Sequence, residues 1–105
     1  MIDHGATADA ALPLSIRIIA SQNLLEADAD GEIVALCPES NNCFGFNNTA
    51  SEVWRLIKTP QTLGQLVAQL TARFAVDDAT CARDVSTTLR WMEEQGLVTL
   101  ERAEA

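Results

Sequence analysis

Hydrophobic and polar positions follow two different rhythms along the chain. Between Pro13 and Phe46 the apolar residues tend to alternate, as in strands buried on one face. Leu14, Ile16 and Ile18 fall on one side, Leu24 and Leu25 lead into the acidic turn Asp28–Ala29–Asp30–Gly31, and Ile33–Val34–Ala35–Leu36–Cys37 is a β-branched, apolar run. Pro38 to Asn42 supplies turn chemistry, with Asn41 or Asn42 able to accept a positive φ, and Cys43–Phe44–Gly45–Phe46 resumes the extended pattern and closes a hairpin.

From Asn47 the period changes to that of a helix. Asn47 or Asn48 caps a stripe of Ala50, Val53, Trp54 and Ile57, and Thr59–Pro60 ends it. Thr62 caps a second stripe of Leu63, Leu66, Val67, Leu70 and Phe74. Asp77 or Asp78 caps a third, with Ala82, Val85, Leu89 and Met92 reaching about Gln95, and Gly96 fits the position just past the helix end. Leu97–Val98–Thr99–Leu100 reads as a last short strand. Strands followed by helices predict an α+β fold, specifically a winged helix-turn-helix with a small antiparallel three-stranded sheet followed by three helices. The domain is expected over 13–101, with 1–12 a flexible N-terminal segment and 102–105 a tail.

Composition narrows what such a domain does. At 105 residues with 48% hydrophobic content there is room for one core and no second catalytic domain. No apolar run approaches the ~20 residues needed to span a bilayer, and no basic segment precedes an apolar stretch near Asp3, His4 and Asp9. A cytoplasmic protein without membrane contact is expected. Fifteen acidic against seven basic residues give a formal charge of −8, which repels nucleic-acid phosphates. Helix 78–95 carries Asp78, Asp84, Glu93 and Glu94 against Arg83 and Arg90, the wrong sign for a DNA-recognition helix, so a transcriptional regulator is the weaker alternative.

Enzyme chemistry has little to work with. The one histidine, His4, sits in the N-terminal segment, so no base is held beside a serine or cysteine. Asp77–Asp78 and Glu93–Glu94 are adjacent pairs that point apart on a helix, and no phosphate-cradling glycine motif occurs. Cys37, Cys43 and Cys81 form no CxxC pair and have no second histidine to complete a zinc site. The hairpin allows Cys37 and Cys43 to face each other, but the odd count argues against a secreted disulfide framework, and reduced thiols are expected. No catalytic residue, metal site or nucleotide cradle is therefore expected.

Binding features are stronger. On the third helix Trp91 lies to one side of the core stripe, on a flank shared by Cys81, Asp84 and Thr88. That position suits either a groove wall or packing on the N-terminal strand. Phe44 and Phe46 share one strand face, and both are expected in the core, as is Trp54. If Cys43–Phe46 is a sheet edge, its backbone can template an incoming strand.

These stretches resemble a known family. Asp30–Gly31–Glu32–Ile33–Val34–Ala35–Leu36, Phe44–Gly45–Phe46–Asn47–Asn48–Thr49–Ala50, Val53–Trp54, Thr62–Leu63 with Leu66–Val67, Asp84–Val85 with Leu89, and Gly96–Leu97–Val98 occur in the order and spacing of the PqqD-like peptide chaperones. These are also called RiPP precursor peptide recognition elements. The match runs over about 14–100, and Trp54, Lys58–Thr59–Pro60 and Cys81 look most like the stand-alone lasso-peptide biosynthesis members. The resemblance implies a non-catalytic adaptor that needs no cofactor. It binds the leader of a ribosomally made precursor as an added strand between the third strand and third helix, and presents it to a leader peptidase or other modifying enzyme. The implied peptide-binding residues are Asn42, Cys43, Phe44 and Phe46 on the strand, and Cys81, Asp84, Val85, Thr88 and Trp91 on the helix, with Asp84 facing a basic leader residue. The pyrroloquinoline quinone members, which deliver to a radical enzyme, are the alternative within the family. Thr88 departs from the family's bulky apolar residue, which enlarges the pocket, and Asn41–Asn42 replaces a glycine-containing turn. Open sheet edges predict a monomer or a domain-swapped dimer.

Overall fold

The computed structural model describes residues 11–102. Four strands come first: β1 (Arg17–Ala20), β2 (Leu25–Ala29), β3 (Glu32–Cys37) and β4 (Asn42–Gly45). Then follow α1 (Asn48–Leu56), β5 (Gln61–Thr62), α2 (Leu63–Arg73), α3 (Asp78–Glu94) and β6 (Val98–Glu101). The result is a small α+β fold with antiparallel sheets and three helices. Among the described residues no helix is long and apolar enough to cross a membrane.

The strands form two three-stranded sheets, of order β5-β1-β6 and β2-β3-β4, where the sequence pattern predicted a single three-stranded sheet. Residues 14–29 do not make one continuous strand. β1 leaves the hairpin region to pair with the C-terminal strand, from Arg17↔Glu101 to Ala20↔Val98, and its other edge takes Thr62 and Gln61. The β2–β3 hairpin turns at Asp30 (φ 56) and Gly31 (φ 90), the paired positive angles of the tight turn that suits strand twist. Asp28 Oδ1 accepts the Gly31 N–H at 2.9 Å across that turn. Between β3 and β4, Asn41 takes φ 62, as the turn chemistry required.

Each helix begins on the expected cap. Asn47 accepts from the Ala50 N–H, Thr62 and Gln65 form a reciprocal capping box, and Asp77 accepts from the Thr80 N–H. At the end of α3, Gly96 (φ 77) completes a Schellman turn in which the Leu97 N–H reaches the Met92 carbonyl at 2.8 Å and the Gly96 N–H reaches Glu93.

The core takes Ile16 and Ile18 from the N-terminal strand region, Ile33 and Ala35 from β3, Val53 and Trp54 from α1, Leu63 and Leu66 from α2, and Val85, Leu89 and Met92 from α3. Three placements differ from the sequence pattern. Leu14, expected beside Ile16 and Ile18, is 58% exposed, because the chain turns through Pro13, whose carbonyl accepts the Ile16 N–H. Leu12, expected in the N-terminal segment, is buried, and its N–H donates to the buried hydroxyl of Ser86 at 2.8 Å. Phe74 is 45% exposed at the end of α2, with the Arg73 guanidinium 5.2 Å from its ring.

Candidate functional site

The β4 strand is an edge. Among the described residues it pairs only with β3, in the register Cys37↔Asn42 to Val34↔Gly45. Continuing that register, the Phe46 N–H donates to the Ile33 carbonyl at 2.8 Å. Backbone direction alternates along a strand, so Phe44 and Asn42 turn their N–H and C=O groups towards β3, and Cys43 and Gly45 turn theirs to the open side. The free edge therefore offers two residues' worth of donors and acceptors.

Ser51 fixes the end of this edge. Its buried hydroxyl accepts the Ile33 N–H at 3.0 Å and donates to the Phe46 carbonyl at 3.3 Å, bridging β3 to the turn that feeds α1. Phe46 is thereby drawn inward, where its ring lies 5.4 Å from that of Trp54.

Opposite the edge stands α3. Trp91 packs its ring edge-on against both Phe44 and Phe46, each at 6.0 Å between centroids, and remains 36% exposed. It therefore lines a groove while bracing the β4 phenylalanines. A cavity of about 300 Å³ opens there, lined by Gly45, Asn47, Ala50, Thr87, Thr88 and Trp91. One turn nearer the start of α3, a second cavity of about 340 Å³ is floored by Leu70, Phe74, Val76, Cys81 and Val85 and rimmed by Asn48, Thr49, Glu52 and Asp84.

The expected binding residues thus fall into groups. Thr88 and Trp91 line the first cavity, with Phe44 edge-on against Trp91, and Cys81, Asp84 and Val85 line the second. Asn42 and Cys43 are exposed on the edge strand. Phe46 is a core residue that supports Trp91 from beneath, and Phe44 is only half-buried, so the two phenylalanines do not share the burial expected of them. Cys81 and Val85 are buried and contribute floor. Cys37 and Cys43 do not face each other: Cys37 is opposite Asn42 and Cys43 opposite Leu36, on alternate faces of the sheet. All three cysteines are free, and His4 lies outside the described residues. Asn47, Ala50 and Thr87 were missed as lining residues, since a cap, a small residue on a core stripe and a surface threonine carry no signal of a groove in sequence.

The electrostatics are acidic at the second cavity. Burial pushes the Cys81 thiol pKa up, and the charges of Asp84, Asp78 and Asp77 push it further, so the thiol is a poor nucleophile. Asp84 makes no ion pair among the described residues. Glu52, on the same rim, is engaged by Arg55 and Arg73. On the far hairpin turn, hydrogen bonds from the Ser40 hydroxyl and amide hold the Cys37 thiol below its ordinary value.

A free strand edge beside a partly exposed tryptophan on a facing helix is an arrangement that an extended chain can join by strand addition. The sequence profile of the family described as coenzyme PQQ synthesis protein D (PqqD) matches residues 32–98, more than half of the chain, and the chain belongs to that family. Its fold is similar to that of TbiB1, solved in complex with the TbiA(beta) leader peptide, at TM-score 0.73 and 26% identity, over 82% of this chain and 99% of that one. It is also similar to a lasso peptide synthetase B1 complexed with the leader peptide, at TM-score 0.67 and 22% identity, over 78% of this chain and 96% of that one. Comparison with curated proteins returned no match.

Proposed function

We propose that this protein is a RiPP recognition element: a non-catalytic adaptor that binds the leader of a ribosomally synthesised precursor peptide by strand addition to β4 and presents it to a modifying enzyme. The observation that carries this reading is the pair of outward-facing backbone groups at Cys43 and Gly45, set beside the groove that Trp91 and Thr88 line. Main-chain hydrogen bonds at the edge give affinity with little dependence on sequence, and alternate leader side chains entering the two cavities give selection. Asp84, which makes no ion pair among the described residues, favours a basic leader residue at the second cavity.

Both solved neighbours carry a leader peptide and one of them is a lasso peptide synthetase B1, which supports the lasso-peptide branch, with a leader peptidase as the enzyme served. The pyrroloquinoline quinone branch, named by the family profile, uses the same binding physics with a different partner. We read the helices and the β2–β3–β4 meander as a winged helix-turn-helix that has exchanged DNA for peptide, working in the cytoplasm as a monomer or a domain-swapped dimer.

The test is an NMR titration of labelled protein with the leader half of the short precursor encoded beside its gene. Amide shifts confined to 42–47 and 81–92, with new cross-strand contacts at Cys43 and Gly45, are the expected result. A leader that binds while leaving those amides unmoved would overturn the reading.

A further inference from the structure

On the side of α1 away from the groove, the β1–β2 connection and the α1–β5 connection enclose a third cavity of about 220 Å³. Ile19, Leu24, Ile57 and Pro60 line part of it, and Glu26, Lys58 and Trp54 line the rest together with the polar Ser21 and Gln22. Trp54 is 1% exposed, and its indole N–H is the one buried side-chain polar atom among the described residues that has no hydrogen-bond partner. An orphaned buried donor of this kind is destabilising, so its position calls for an acceptor.

Glu26 comes close to supplying one. Its carboxylate pairs with Lys58, whose Nζ lies 5.4 Å from the centre of the Trp54 ring. Burial works to raise the Glu26 pKa, but Lys58 and the Trp54 N–H pull it below its ordinary value. The carboxylate nevertheless stops short of hydrogen-bonding geometry with that N–H. The backbone of Glu26 is held in the β2–β3 ladder opposite Ala35, and its carboxylate is paired with Lys58.

We propose that Trp54 and Lys58 form a second binding site, for a peptide carboxylate presented by a partner protein, which Glu26 fills incompletely until that carboxylate displaces it. An untethered carboxylate can meet both the ammonium and the indole N–H, while an adjoining aliphatic side chain covers Ile19, Leu24 and Ile57. The site does not depend on the leader-binding reading, since it shares no residue with either groove cavity.

The test follows the two tryptophan indole N–H cross-peaks by NMR, with Trp91→Phe identifying the one from Trp54. The probes are N-acetylvaline, a C-terminal type of carboxylate, and N-acetylglutamic acid α-amide, a side-chain type, in buffer of matched ionic strength. N-acetylvaline amide is the uncharged control. A saturable shift of the Trp54 peak with either acid is expected, and the tighter of the two identifies the source of the carboxylate. Glu26→Ala should strengthen binding about tenfold if the internal carboxylate occupies the site about nine-tenths of the time. Lys58→Met should abolish the shift. A folded Glu26→Ala protein whose Trp54 peak stays still, or moves equally with the uncharged amide, would overturn the proposal.

Discussion

Proline at Cys43 is a sharp test of the edge geometry. The Cys43 N–H points to the open side of β4, so Cys43→Pro removes a donor that no ladder bond uses, and edge strands tolerate proline at such positions. The β3–β4 ladder should survive, and the urea midpoint should fall only slightly. Peptide binding should suffer in two ways. One main-chain hydrogen bond is lost, at about 0.5–1.5 kcal/mol, and the leader carbonyl that would accept it is left unpaired in the cleft, at about 1–3 kcal/mol. The sum of about 1.5–4.5 kcal/mol is a loss of roughly 10-fold to 2,000-fold in affinity, readable by fluorescence anisotropy with a labelled leader. Phe44→Pro is the control, because Phe44 faces β3 opposite Ala35 and its N–H belongs to the ladder. That variant should lose stability. If Cys43→Pro binds within threefold of the wild type while remaining folded, the leader does not add to this edge.

Three further outcomes are expected. Trp91→Ala removes two edge-to-face ring contacts, together about 1–3 kcal/mol of stability, and weakens leader binding by about 2 kcal/mol or more. A drop in thermal midpoint with unchanged affinity would make Trp91 a brace only. Ser51→Ala strands the Ile33 N–H and the Phe46 carbonyl in the interior and should lower stability by about 1–3 kcal/mol in urea unfolding, against a near-neutral Ser40→Ala on the exposed turn. Hydrogen bonds from Arg55 and the Gly31 N–H depress the Asp28 pKa, and those from Thr80 depress Asp77, so the folded chain holds these protons less tightly than the unfolded chain. Their stabilisation is complete above the ordinary carboxylate range and is lost as the pH falls through the lowered folded values. Urea midpoints should decline below about pH 4, and a midpoint that rose on acidification would contradict the assignment.

Local chemistry in this chain is written plainly. Asn47, Thr62 and Asp77 cap, Gly96 ends a helix, and Asn41 turns a hairpin, because each role depends on residues within a few positions. The split into two sheets is not local. Nothing near Ile18 announces that its partner is Leu100, and alternation is the same whichever sheet a strand joins. The site was half visible for the same reason. Helix arithmetic puts Trp91 off the core stripe, but that Phe46 turns inward while Phe44 stays at the rim depends on Ser51 reaching across to β3. The cavity walls formed by Asn47 and Thr87 look in sequence like any solvated surface.

Because β2–β3–β4 shares no strand with β5–β1–β6, the two walls of the groove have separate foundations. Beyond the apolar seating of Ile33 and Ala35, the meander is moored to α1 by the Ser51 bridge and by two charged ties, Arg55 to Asp28 and Lys58 to Glu26. Those ties lie partly in solvent and weaken as salt rises, whereas the Ser51 bridge does not. Raising the salt should therefore loosen the charged ties between the meander and α1 before the Ser51 bridge, while Phe44 and Trp91 keep β4 against α3.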